Sequence, residues 1–248
     1  MRKLLVTILL SVISLYSWAQ GDVVEVRPYA DLRTFHLGIV IGTHFQDLEF
    51  VNVGPQTITY SDGTTSDVDV SCDQGKWNLG FNVGVLGELR LSDHFSFRAA
   101  PQLYFGTRDL TFHDHKLLDE NGDPLEKTQS MKSVYVALPM DIILNARRHG
   151  NVRPYMMAGL NPMINLSGNS GENILQLKKH DLMLEAGIGF DFYLPYFKVR
   201  PELKFCYSLY DVFDASHVDD IQDENLYPYA KSVKSARNKF IVLSFYFD

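Results

Sequence analysis

The feature that most constrains this chain is a two-residue alternation that recurs along nearly its whole length and never places a charge on the apolar face. In the first run Phe35, Leu37, Ile39 and Ile41 share one face and His36, Gly38, Val40, Gly42 and His44 the other. The pattern returns in Leu79–Val85, Phe95–Phe105, Val134–Leu144, Met156–Ile164, Leu182–Phe192, Phe197–Tyr207 and Ile241–Phe247. A period of two is the signature of β-strands with one apolar and one polar face. The runs reach ~10 residues, the length that crosses a bilayer as a tilted strand, against ~5–6 for an ordinary soluble strand.

The opposite faces hold charges and glycines together: Arg98, Asp141, Glu185, Asp191, Arg200, Glu202 and Lys204 among Gly80, Gly84, Gly187 and Gly189. Such a face makes a poor hydrophobic core and suits a narrow lumen, whereas a soluble lipocalin-like barrel reverses the two. The connections alternate long and short. The long ones lie at about 51–77, 108–130, 167–178 and 210–236, and the short ones at about 91–94, 146–152 and 195–196. The expected fold is all-β: an eight-stranded antiparallel up-and-down transmembrane barrel with long outer loops and short periplasmic turns. Pro101, Pro139, Pro154, Pro162 and Pro201 fall inside these runs. Proline cannot donate to a ladder, so strand ends or bulges are their expected places.

Residues 1–19 read as a secretory leader, with Arg2 and Lys3 before an apolar Leu4–Tyr16 and Ser17-Trp18-Ala19 at the cleavage site. The apolar run is shorter than a spanning helix, and Gln20-Gly21 rather than cysteine follows it. The division is then 1–19 leader, 20–33 periplasmic N-terminal segment and 34–248 barrel. The formal charge is −7, which argues against a nucleic-acid partner. Two cysteines, Cys72 and Cys206, build neither a disulfide scaffold nor a zinc site. No disulfide is expected between them, because a bridge needs their Cα atoms within ~7 Å.

At this point three stretches carry a resemblance: Leu32–Gly42, Val134–Gly159 and Leu182–Leu209. They resemble the PorT family of Bacteroidetes, outer-membrane barrels of the type IX (Por) secretion and gliding system. The resemblance spans roughly 28–247, with Asn151–Tyr155 and Phe192–Lys198 its most specific parts. It implies a role in protein secretion, with other secretion-system proteins as partners beside outer-membrane lipid.

Catalytic and metal patterns are sparse. His113 and His115 point to one side of an extended segment, without an identifiable third ligand. His36 and His44 share a face but stand ~26 Å apart at ~3.3 Å per residue, too far to share a metal. Asp211, Asp214, Asp219, Asp220, Asp223 and Glu224 crowd the last outer loop without calcium-loop spacing. They read as a solvated acidic loop or a bridge through divalent cations to anionic glycolipid. No nucleophile elbow or zinc-protease motif occurs, and no cofactor or metal is expected.

Three structural expectations remain. The inward charges should form an ion network that fills the lumen, since buried charges must pair. Arg147, Arg148 and Arg153 form a basic periplasmic turn, either plainly hydrated or docking an acidic partner or lipid headgroups. Phe192, Tyr193, Tyr196, Phe197, Phe245 and Phe247 read as a periplasmic aromatic girdle. The leading function is a non-enzymatic component of the secretion apparatus. The alternatives are a small barrel for adhesion or envelope integrity, and an outer-membrane barrel enzyme.

Overall fold

In the computed structural model the described residues are 25–60, 63–118, 122–167, 173–221 and 223–248. The leader at 1–19 lies outside them. The strands in chain order are β1 (Phe35–Asn52), β2 (Gln56–Thr59), β3 (Thr65–Val68), β4 (Val70–Asp73), β5 (Asn78–Arg90), β6 (Phe95–Ala99), β7 (Gln102–Leu118), β8 (Pro124–Ala137), β9 (Met140–Asn145), β10 (Val152–Asn165), β11 (His180–Tyr193), β12 (Lys198–Ser208) and β13 (Val233–Phe247).

The first strand closes the ring. Phe45 pairs with Leu79 of β5 on one side and with Ile241 of β13 on the other. Eight antiparallel staves result, two of them split: β6 with β7, and β8 with β9. Pro101 and Pro139 make the splits. Their carbonyls remain in the ladder, accepting from Val85 N at 3.0 Å and Ala100 N at 3.1 Å. Pro154 and Pro162, expected at strand ends or bulges, instead sit in unbroken register opposite Phe190 and Leu182. Pro201 also lies within its strand, in register with Phe245.

Outward residues of the lower barrel are the apolar set. Leu37, Ile39, Ile41, Leu79, Phe81, Val85, Met156, Leu184 and Ile188 are all exposed. From Phe35 to Phe45 the band covers ten residue steps, which at ~3.3 Å each and a tilt of ~40° gives a height of about 25 Å, that of an outer-membrane apolar belt.

Above Phe45 the alternation persists but its polarity inverts. Outward positions become charged, with Glu49 opposite Arg237 and Asp47 opposite Lys239. Inward positions become apolar. Leu48, Leu110, Phe112, Met131, Val233 and Ala236 join Val70 and Cys72 in one buried cluster. The segment 108–130, expected as a loop, is largely strand, because β7 runs to Leu118 and β8 starts at Pro124. A solvated wall needs no apolar outer face, so the cue that marked the strands below vanishes there. The 51–77 connection likewise holds the β2–β3 hairpin and β4, which pairs with β7. Ile174, Leu175 and Leu177, then Val212, Phe213, Ile221, Tyr229 and Ala230, fold down from the last two outer loops onto this cluster and close the barrel from outside.

Candidate functional site: the filled lumen and the periplasmic mouth

The hairpin joining β11 and β12 sets the lumen's register. Leu194 N donates to Phe197 O at 3.0 Å, and the pairing continues as Tyr193 with Lys198, Gly189 with Glu202 and Gly187 with Lys204. Long polar chains thus stand opposite glycines. A Cβ on Gly189 would lie 2.3 Å from the Tyr155 ring; the missing side chain is the space that ring occupies.

All seven inward charges singled out in the sequence point into the lumen, each at most 2% exposed. Arg200 Nε lies 2.6 Å from Asp191 Oδ1, and its Nη1 bonds Glu88. Arg98 holds Asp141 at 2.9 Å and Glu202 at 2.7 Å. Glu202 also accepts from the Tyr155 and Tyr246 hydroxyls at 2.9 and 3.1 Å. Lys204 binds Glu185 at 3.2 Å. The guanidiniums lie on rings as well, Arg98 4.5 Å from the Tyr246 centroid and Arg200 5.0 Å from that of Tyr155. Nearly every charge therefore meets an opposite charge or a hydroxyl, which offsets its desolvation.

Among the described residues, further charged members of the filling include Glu88, Arg108, Asp181, Lys198 and Asp248. The parity of β5, carried two residues past Leu86, marks Glu88. Arg108 keeps the inward parity of Gln102 and Tyr104 but lay in the presumed loop. Above the ion network sits a tier of rings, His44, Tyr104, Tyr135 and Phe240, with centroids 5.1–6.2 Å apart. Arg108 caps the tier, donating to Gln46 at 3.0 Å and Asn238 at 2.5 Å. Ion network, rings and outer apolar cluster fill the axis in succession.

The periplasmic mouth is closed differently. The chain before β1 folds across it through a short turn at Ala30–Leu32. Asp31 is the fastener: its carboxylate receives Arg153 at 3.2 Å, lies 3.6 Å from Arg148 and accepts from the Tyr193 hydroxyl. Asn151 Oδ1 accepts from Val26 N at 2.9 Å. The Arg148 guanidinium lies 3.7 Å from the Tyr193 ring centroid. Arg153 also donates to Ala146 O at 3.0 Å and Asp93 O at 2.6 Å. Of the three arginines of the candidate docking turn, Arg148 and Arg153 are thus spent on the protein's own N-terminal segment, and Arg147 is exposed. Tyr193, assigned to the girdle by sequence, is buried in this mouth, while Tyr196 is 91% exposed and Phe197 lies 6.3 Å from Phe247 between ring centroids.

Beside the mouth Asp248, just past β13, binds Lys198 at 3.1 Å and His36 at 3.3 Å. Burial opposes its ionisation, but the His36 hydrogen bond and the Lys198 and Arg200 charges prevail and hold its carboxyl down at about 2.

The remaining sequence candidates do not converge. His113 lies between Asp73 at 3.4 Å and Glu126 at 3.3 Å, while His115 pairs with Ser71 at 2.9 Å. Asp214 and Asp223 cap short turns through Ser216 N and Asn225 N, and Asp211 accepts from Ala236 N at 2.8 Å. No grouping of three metal-ligating side chains occurs among the described residues. Cys72 and Cys206 are free and buried, in separate clusters. Burial, with Asp73 beside it, pushes the Cys72 thiol above its ordinary range.

Residues 18–214 match the family model described as "Outer membrane protein beta-barrel domain". Among solved structures the chain is similar to Neisserial surface protein A, at 11% identity and a TM-score of 0.40, covering 86% of this chain and 98% of that one. It is also similar to the outer membrane protein OprG from Pseudomonas aeruginosa, at 12% identity and a TM-score of 0.40, covering 85% and 95%. No curated protein matches the sequence.

Proposed function

The chain belongs to the outer membrane protein β-barrel domain family, an integral protein of the outer membrane, and from that premise we propose that it is a closed, non-enzymatic scaffold of the type IX secretion apparatus. The carrying observation is the filled axis. Among the described residues, ion pairs of Arg98, Arg200 and Lys204, a ring tier and an apolar outer cluster pack the lumen along its axis, which supports a closed barrel over a conduit for polypeptide or solute. A barrel of this kind acts through its rims and wall.

The secretion role rests on the resemblance to the PorT family, and its two most specific stretches share one physical task. Asn151–Tyr155 supplies Asn151 and Arg153 to the mouth, and Phe192–Lys198 supplies Tyr193 and Lys198. What distinguishes those stretches is therefore the closure of the periplasmic end, where secretion components would meet the barrel.

Two measurements test the reading. In planar bilayers the purified protein should show little conductance; large stable openings would remove the closed-scaffold reading. A deletion strain should lose surface delivery of type IX cargo. Normal delivery would leave the second reading, an envelope or adhesion barrel, which the well-packed outer end with Phe112 and Tyr229 in edge contact at 5.8 Å favours.

A further inference from the structure

The periplasmic end carries more positive charge than its own contacts consume. Arg27, Arg33, Arg90, Arg147, Arg148, Arg153 and Lys198 stand there against Glu25, Asp31, Asp93 and Asp248, in a chain whose formal charge is −7. Asp31 is spent on Arg148 and Arg153, and Asp93 on Arg90. Arg147 and Arg33 are exposed and without a partner among the described residues. Six of these seven cations are arginines, whose planar fork suits carboxylates held in two-point contact, and the one lysine, Lys198, is paired with Asp248.

Between the turns at 91–94 and 146–151 opens a groove of about 410 Å³, within the range of binding sites. Leu32, Arg90, His94, Arg147 and Arg153 are among its lining residues. Leu32 is 59% exposed, and Tyr29 beside it on the same segment is 76% exposed. Asp31 and Asp93 also line the groove but are already paired with arginines, so what it presents is the unspent charge of Arg147 together with the uncovered apolar surface of Leu32. Arg90 and Arg153 carry the inward parity of their strands, so the groove belongs to the mouth and not to the apolar wall. An extended chain arriving from the periplasm reaches it more directly than a headgroup in the bilayer plane.

We infer that this groove docks an acidic segment of a periplasmic protein, with a carboxylate on Arg147 and an apolar side chain on Leu32. The inference deepens the reading of a scaffold that acts through its rim, and rests on it. Conductance reports on the lumen independently of this binding, so the two fail separately.

The test uses the full chain in zwitterionic nanodiscs and a fluorescent peptide of mixed Glu and Leu as the probe, read by anisotropy. Binding should weaken steeply with added salt and fall about tenfold in Arg147→Glu, with a smaller loss in Leu32→Ser. Both sites are exposed, and an unchanged unfolding curve verifies that the variants fold. A Lys and Leu peptide should not bind. Equal binding by Arg147→Glu and the parent overturns the proposal, as does no binding of the acidic peptide. Arg147-dependent capture of phosphatidylglycerol vesicles, with none of the peptide, also overturns it in favour of a lipid site.

Discussion

Arg153 Nε donates a 3.0 Å hydrogen bond to Ala146 O, the ladder acceptor that Pro154 cannot serve. Ala146 N still donates to Pro154 O at 3.0 Å, so half of the usual paired exchange survives. The neighbouring guanidinium supplies the other half and extends to Asp31. Pro154 thus sits just past the last registered pair of β9 and β10, Tyr155 with Asn145, without a bulge because Arg153 replaces its missing N–H. Arg153→Ala is expected to cost about 1–3 kcal/mol through unpaired acceptors, and to speed proteolysis within residues 25–33. Arg153→Lys should recover little, since one ammonium cannot span the three partners. Intact protection of that segment in Arg153→Ala would refute the account.

Arg200 is fully buried between Asp191 and Glu88. Its replacement by methionine strands both carboxylates, leaving Asp191 only Lys198 at 3.8 Å. The expected loss is about 3–5 kcal/mol, measured by urea unfolding in lipid vesicles. A loss below that of an exposed ion pair such as Lys239–Glu49 would contradict the packing.

Gly189→Ala drives a Cβ into the Tyr155 ring and to 2.9 Å from Pro201 O. Overpacking of this kind costs about 1–3 kcal/mol. Gly87→Ala serves as the comparison, with its nearest atom 3.6 Å away, and should be close to neutral. Equal effects at the two positions would count against the register.

Asp248 sets an acid limit. Its folded carboxyl is held at about 2, below its unfolded value near 3.8, so the stabilisation is complete above pH ~4 and is lost as pH falls toward ~2, about 2 kcal/mol in all. Asp248→Asn should flatten the unfolding profile over that window and leave neutral-pH behaviour less stable. An unchanged acid limb would show that the group carries no such weight.

Both thiols should resist maleimide in the folded protein and react fully after unfolding, with no reduction-sensitive mass shift. Cys72 is buried with its thiolate disfavoured by that burial and by Asp73. Fast labelling of Cys72 in intact cells would place it at a surface that the fold denies it.

Alternation made the lower barrel legible almost to the residue. A two-residue turn of Pro195 and Tyr196 between Leu182–Tyr193 and Phe197–Tyr207 puts Gly189 opposite Glu202, as the structure has it; the alternation itself fixes the inward facing, and the turn length the pairing. The same rule failed where its second half was assumed. Inward parity continues through Arg108, Leu110 and Phe112, but the outward residues there are no longer apolar, and the strand reads as a loop. Glu88 and Lys198 keep the inward parity of their staves, whereas Asp248 lies past the last residue of β13, where no alternation reaches. Asp31 meets residues 122 and 162 positions away, a relation that no local pattern contains.

The reversal of polarity at Phe45 gives the barrel a waterline. Sinking it further would bring Glu49, Lys239 and Arg237 into hydrocarbon, at a cost rising toward ~2–4 kcal/mol for each Lys or Arg that nears the midplane. Raising it would bare the chargeless wall to water. Depth is set by the wall itself, and the two halves answer to different solvents: detergent should act on the lower wall, while denaturant should first loosen the loops packed into the upper end.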